Sequence, residues 1–335
     1  MIKKECFTAE WIEQVSSELH YNDKNLIEKV IRALSLLEML VKAGCPLVFK
    51  GGTALMLILG KSAHRLSIDI DLICPPGTNI EDYLKSFADF GFINLELVER
   101  KQRDDADIPK SHSKFFYQIA YRNDTDAQSY ILLDVLYEDI HYFRTQQIAI
   151  NCPFIRLEGK PLMVTVPSAE DILGDKLTAF APNTTGIPYY RNGRSCSMEI
   201  AKQLYDVGRL FENVSDLQIT KEAFRKIAVV ELSYRSFGTD IGQVFNDIRQ
   251  TALCISTRGK AGEGDFDLIQ DGIIRVKSFM YKQRYLIDHA IIDAARAAYL
   301  ATLIEKGINE IESYSNNPAD IKDMVIRPSL PNKLN

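Results

Sequence analysis

The stretch Arg65-Leu66-Ser67-Ile68-Asp69-Ile70-Asp71-Leu72-Ile73 constrains the chain most, because apolar and polar residues alternate strictly from Leu66 to Leu72. Successive strand side chains point to opposite faces, so Leu66, Ile68, Ile70 and Leu72 share one face while Ser67, Asp69 and Asp71 share the other. The two carboxylates then project in the same direction, with Cα atoms roughly 6.5–7 Å apart. That suits a hard divalent cation, since magnesium takes oxygen ligands and commonly uses one or two carboxylates with substrate phosphates supplying the rest. Metal ions held in this way can clamp the attacking and leaving oxygens of phosphoryl or nucleotidyl transfer. An isolated Asp-x-Asp is common by chance, and on an exposed strand it simply meets water. Here large apolar residues lie on the opposite face and a glycine turn comes before it.

That turn is Lys50-Gly51-Gly52-Thr53. A short strand at Leu47–Phe49 runs into it, and a brief helix, Ala54 to Leu59, leaves it and ends at Gly60. Glycines let backbone N–H groups approach an anion closely, and the start of the following helix adds partial positive charge. Thr53 is placed to cap that helix and to offer its hydroxyl to a phosphate. A plain strand–turn–helix corner uses the same residues, and no GxxxxGK[ST] P-loop is present. The turn and the acid pair together make a stronger case for a bound triphosphate than either alone. A third carboxylate, Asp134, interrupts the apolar strand Tyr130–Tyr137, where an unpaired charge would cost several kcal/mol. Its partner is expected to be a metal, or else a buried Arg or Lys.

The rest of the chain reads as a mixed α/β front and a helical back. Asn22–Lys42 carries apolar residues at helical spacing and is stopped by Gly44 and Pro46. Strands are expected at Ile93–Val98, Phe115–Tyr121, Tyr130–Tyr137 and Leu162–Val166, with a helix near Ile80–Phe90. Ser168-Ala169-Glu170-Asp171 resembles a capping box opening a helix that holds Lys176. The Lys176 stem would pack among Leu173, Leu177 and Phe180, so its head would be directed. Further helices are expected at Ser197–Phe211, Lys221–Val230, Ile241–Ile255 and Asp267–Ala301, after a loop at Pro182–Arg194. The predicted organisation is a helical segment at 1–45, an α/β core at 46–166, a helical domain at 167–312 and an irregular tail at 313–335.

Composition narrows the function by exclusion. Of 335 residues 46% are hydrophobic and 25% charged, which is a soluble globular balance. The net charge of −5 gives no overall basic field, although a local basic patch remains compatible with RNA. Six scattered cysteines without a CxxC pair read as reduced thiols, and five dispersed histidines make no HExxH. The N-terminus lacks a secretory h-region and no apolar run is long enough to cross a bilayer, so a cytoplasmic location without membrane contact is expected.

The strings Lys50-Gly51-Gly52-Thr53-Ala54-Leu55 and Arg65-Leu66-Ser67-Ile68-Asp69-Ile70-Asp71-Leu72 closely resemble the first motif of AbiEii-type nucleotidyltransferases. These are toxins of type IV toxin–antitoxin and abortive-infection systems, within the polymerase-beta-like superfamily. Asp175-Lys176-Leu177-Thr178-Ala179 and Gln203-Leu204-Tyr205-Asp206-Val207 match the family's later lysine and aspartate, though Tyr205 stands where a basic residue is common. The resemblance implies a nucleotidyltransferase-fold mixed sheet followed by an α-helical region, with magnesium (manganese as the alternative) and a nucleoside triphosphate as substrate. Asp69 and Asp71, with Asp134, would hold the metal. Gly51, Gly52, Thr53, Arg65, Ser67 and Lys176 would bind the nucleotide, and Asp206 would orient the acceptor, deprotonate it or hold Lys176. The implied acceptor is RNA such as the tRNA 3′ end, with a small molecule or a protein hydroxyl as alternatives. A non-catalytic nucleotide-binding module is the reading from another class. The implied partner is a genetically linked antitoxin without a stable complex.

Overall fold

A computed structural model describes residues 1–98, 110–121, 127–214, 216–234, 238 and 240–312. The chain packs as two compact units, Met1–Ile172 with Lys277–Arg284, and Leu173–Val276 with Tyr285–Asn335. The irregular tail expected at 313–335 lies outside the described residues.

The first unit opens with helices α1 (Ala9–Glu18) and α2 (Lys24–Lys42), followed by β1 (Val48–Lys50), α3 (Gly51–Leu59) and β2 (Ile70–Cys74). Then come β3 (Asn94–Val98), β4 (Lys110–Gln118), β5 (Gln128–Tyr137), β6 (Thr145–Ala149) and β7 (Met163–Pro167). Asp23 caps α2 by accepting from Leu26 N–H at 3.0 Å, an interaction worth about 1 kcal/mol. The five-stranded sheet has the order β1-β2-β5-β4-β3, with β2 and β5 parallel and the other pairs antiparallel; β6 and β7 form a separate ribbon. One core joins Ile27, Ile31 and Leu34 of α2 to Phe49, Ile70, Phe115, Ile131 and Leu133 of the sheet. The helical segment at 1–45 is thus part of the unit that holds the sheet.

In the second unit α4 (Ala169–Ala179), which begins just before the division, leads to a small hairpin of β8 (Tyr190–Arg191) and β9 (Arg194–Ser195). Helices α5 (Ser197–Phe211), α6 (Leu217–Tyr234), α7 (Ile241–Ser256), α8 (Phe266–Val276) and α9 (Ile287–Lys306) complete it. Ser168 Oγ accepts from Asp171 N–H at 3.1 Å, as a capping box requires, but the Asp171 carboxylate accepts from the Phe143 and Arg144 N–H groups instead of closing the box.

Three expectations are corrected by long-range pairing. The strand containing the acid pair begins only at Ile70, because Arg65 bridges Met280 and Leu66 N–H donates to Phe279 O at 2.8 Å. The helix foreseen over Asp267–Ala301 is two helices, since Lys277–Arg284 packs into the first unit, where Tyr281 is buried against Phe154 with ring centroids 5.3 Å apart. The helix near Ile80–Phe90 is two 3₁₀ turns, Ile80–Tyr83 and Phe87–Phe90, and Ser35 and Arg32 of α2 bond the Phe90 and Gly91 carbonyls at its end.

Candidate active site

The glycine corner and the acid pair, separated by some fifteen residues of sequence, meet in the first unit. β1 and β2 run antiparallel with Lys50 opposite Asp71, and the chain passes from Lys50 directly into α3. Lys50 is the N-cap of α3 and supplies no side-chain acceptor to its first turn, the arrangement in which a helix start receives an anion. Gly51 has φ +79°, and a Cβ there would lie 2.1 Å from Asp71 Oδ2. A Cβ on Gly52 would lie 2.7 Å from Ser67 Oγ and 3.0 Å from Arg65 Nη2. A Cβ at either glycine would displace the side chains laid against it, and Gly51 also needs its left-handed backbone. Arg65 is 6% exposed, and its Nη1 donates to Leu66 O at 3.0 Å, which fixes the guanidinium beside the corner.

Thr53 differs from expectation. It lies inside α3, fully buried, and its hydroxyl donates to Asp69 O at 2.7 Å. The cap is Lys50, and Thr53 ties the loop bearing Asp69 to the helix start. Gly51→Ala is predicted to strain a left-handed residue by about 1–2 kcal/mol and to push the Asp71 carboxylate aside. Displacement of a reacting group by ~1 Å costs on the order of 10²-fold in rate. Nucleotide transfer measured beside thermal unfolding checks this, and an Ala variant of near wild-type activity would refute it.

Asp134 sits in register with Asp71 on the neighbouring parallel strand, which brings the third acid to the same sheet face. His112 lies opposite it on β4, and His112 Nδ1 hydrogen-bonds Asp134 Oδ1. The partner foreseen as a metal, Arg or Lys is thus an imidazole. That partner was hidden in the sequence, because only strand register reveals it. Lys29 was also missed: it sits among the core positions of α2, where burial lowers its ammonium pKa and the Asp69 and Asp23 carboxylates raise it.

The donor chemistry of the acid pair fits magnesium. Asp69 and Asp71 supply hard oxygens, and the crevice a Cβ on Gly51 would fill keeps side-chain bulk away from Asp71. Among the described residues no group of three or more His, Cys, Asp or Glu side chains is arranged to hold a metal ion. A cation held by two carboxylates with substrate oxygens completing its shell is compatible with this, and the Asp134 carboxylate is engaged by His112.

In the second unit Lys176 and Asp206 meet, with Nζ 3.0 Å from Oδ2 and only 7% and 2% of each residue exposed. Lys176 also donates to Gln203 Oε1 at 2.9 Å. Arg209 pairs with Glu212 at 2.8 Å and with the buried Asp293 at 3.5 Å, leaving Tyr205 next to Asp206. Arg191 and Arg194 are exposed on the β8–β9 hairpin.

A family model described as nucleotidyl transferase AbiEii toxin, type IV TA system, matches residues 34–302. The chain belongs to the AbiEii family. The AbiEii match opens inside α2, takes in the glycine corner, the acid pair and the Lys176–Asp206 pair, and ends inside α9. By family it is a nucleotidyltransferase toxin of a type IV toxin–antitoxin system. Solved structures similar to it include JHP933 from Helicobacter pylori, at 16% identity over 92% of this chain and 95% of that one, TM-score 0.41. MenT4, a nucleotidyltransferase toxin of Mycobacterium tuberculosis, is 15% identical over 88% and 89% of the two chains, TM-score 0.45. A putative nucleotidyltransferase from H. pylori is 17% identical over 85% and 94%, TM-score 0.39. Curated proteins give no match. No helix among the described residues is long and apolar enough to cross a membrane.

Proposed function

We propose that this AbiEii-family chain transfers a nucleotide from a magnesium-bound nucleoside triphosphate to an RNA 3′ end, such as that of tRNA, in the cytoplasm. The observation that carries the reading is the approach of Asp71 to Gly51, where only a hydrogen separates the backbone from the carboxylate. That contact supports a cation at Asp71 with phosphate on the adjacent backbone N–H groups. When bound, the metal would neutralise triphosphate charge at Asp69 and Asp71. Gly51, Gly52 and the α3 N-terminus receive phosphate oxygens, with Ser67 and Arg65 fixed behind Gly52. Thr53 holds Asp69 in place through its carbonyl. The attacking ribose hydroxyl forms a bond to the α-phosphorus, pyrophosphate departs, and the hydroxyl proton goes to Asp134, which His112 orients. Such catalysis is mostly positioning and charge stabilisation. A linked antitoxin gene, whose product forms no stable complex with the chain, goes with this reading.

Incubation with magnesium, each labelled nucleoside triphosphate in turn, and total tRNA tests it. Label is expected in RNA with at least one nucleotide, and its loss is expected when magnesium is chelated. Folded protein that labels no RNA with any of the four nucleotides would overturn the acceptor assignment. Drug resistance on expression, in place of growth arrest, would favour a small-molecule acceptor.

A further inference from the structure

The sheet face that carries Asp71 and Asp134 continues along β5 and β4 into an aromatic pair. Residues of like parity share a face, so Tyr130, Leu132 and Asp134 of β5 lie with His112, Lys114 and Phe116 of β4. Phe116 and Tyr130 are direct cross-strand partners with ring centroids 5.7 Å apart, and Tyr130 is 39% exposed. Two ammonium groups stand over the Tyr130 ring, Lys29 Nζ at 5.4 Å and Lys114 Nζ at 5.6 Å from its centroid. Lys114 also pairs with Glu96 at 3.2 Å. Lys110, exposed, occupies the same face of β4.

We propose that Tyr130 and Phe116, flanked by Lys29 and Lys114, form a stacking platform for the unpaired 3′-terminal bases of an acceptor RNA. A half-exposed aromatic ring on a sheet face, with lysine ammonium groups over it, suits single-stranded nucleic acid: an incoming base takes the ring face as the flexible lysines swing from it to the phosphates. The strand order sets its side of the site. β2, which carries Asp71, lies between the β1–α3 corner that suits the triphosphate and the β5–β4 pair that bears the aromatics. The β2–β5 pairing starts at Ile70–Leu133, so Tyr130 stands just beyond the end of β2, towards Asp69. It precedes Asp134 by four residues, roughly 13 Å of strand. Bases stacked here would bring a terminal hydroxyl towards Asp134 and the acid pair from the side opposite the triphosphate. This assignment rests on the nucleotidyl-transfer reading for its occupant, and on sheet geometry for its place.

The test uses the full chain, a short single-stranded RNA with a free 3′-hydroxyl, a blunt RNA duplex, and nucleoside triphosphate binding measured separately. Tyr130→Ala is expected to weaken single-stranded RNA binding by about tenfold or more, while Tyr130→Phe retains it. Nucleotide affinity is expected to be unchanged in both. Lys29→Gln and Lys114→Gln are each expected to weaken RNA binding and flatten its salt dependence. If Phe116 and Tyr130 only stabilise the sheet, Tyr130→Ala lowers the melting temperature and leaves RNA affinity alone, and the proposal fails. It fails equally if duplex, single strand and nucleotide lose affinity together, or if the wild-type chain binds no RNA. Nucleotide binding that persists in that last case leaves the nucleotidyltransferase reading standing. RNA binding that depends on Tyr130 without any transfer overturns that reading and leaves the platform.

Discussion

Asp71→Asn is expected to lower nucleotide transfer by about 10²–10³-fold or more while leaving the melting temperature unchanged or slightly raised. The loss follows from removing one of two carboxylates that would hold the cation, at the point where the backbone comes closest. The gain in stability follows from charge. Asp71 lies in register with Asp134 and shares its segment with Asp69, so one sheet region gathers three acids, with Lys50 opposite Asp71 and His112 on Asp134. Replacing one acid by its neutral isostere relieves like-charge repulsion, as sites built for function commonly allow. Asp71→Glu is expected to be similarly impaired, since an extra methylene moves the carboxylate from the place beside Gly51 that Asp71 Oδ2 takes. Transfer of labelled nucleotide and thermal unfolding, measured on the same preparations, decide the matter. Transfer at near wild-type rate in Asp71→Asn would move the metal site elsewhere. A large fall in stability would instead make Asp71 a structural partner of Lys50.

The legible parts of this chain are those whose signals are local. The alternation ending at Leu72 located the strand that carries Asp71, and the paired glycines gave the corner, because strand pattern and left-handed backbone are properties of a few consecutive residues. Helix α5 runs over Ser197–Phe211 as its apolar spacing indicates. The parts that were not legible depend on residues far away. β2 is shorter than its pattern because Arg65 and Leu66 bond to residues 279 and 280, and nothing near Arg65 announces that partner. The partner of Asp134 is His112 because β4 runs antiparallel to β5 in that particular register. The ribbon strand β6 went unseen because Thr145-Gln146-Gln147 shows no alternation. Thr53 read as a phosphate contact because a hydroxyl after two glycines has that grammar, whereas its burial beneath Asp69 is a tertiary fact.

Asp206→Ala is expected to destabilise the protein by about 3–5 kcal/mol, because it leaves the Lys176 ammonium buried without its carboxylate, beside the neutral Gln203 amide oxygen. For a domain of this size each kcal/mol moves the melting temperature by about 2–4 °C, so the shift should be plain in a thermal scan. The opposite result is expected from removing both charges. Lys176→Met with Asp206→Leu leaves no uncompensated ion, and replacing a buried pair by apolar residues of similar size is often neutral or stabilising. That double variant separates structure from chemistry, since the pair is no longer needed to hold α4 against α5. Recovery of stability without recovery of nucleotide transfer is the expected outcome, and it would make the pair part of the reaction that the family's matching lysine and aspartate imply. Recovery of both would reduce the pair to a clamp between two helices. An Asp206→Ala variant that melts with the wild type would show that the ammonium finds water in solution, and the buried pair itself would then be wrong.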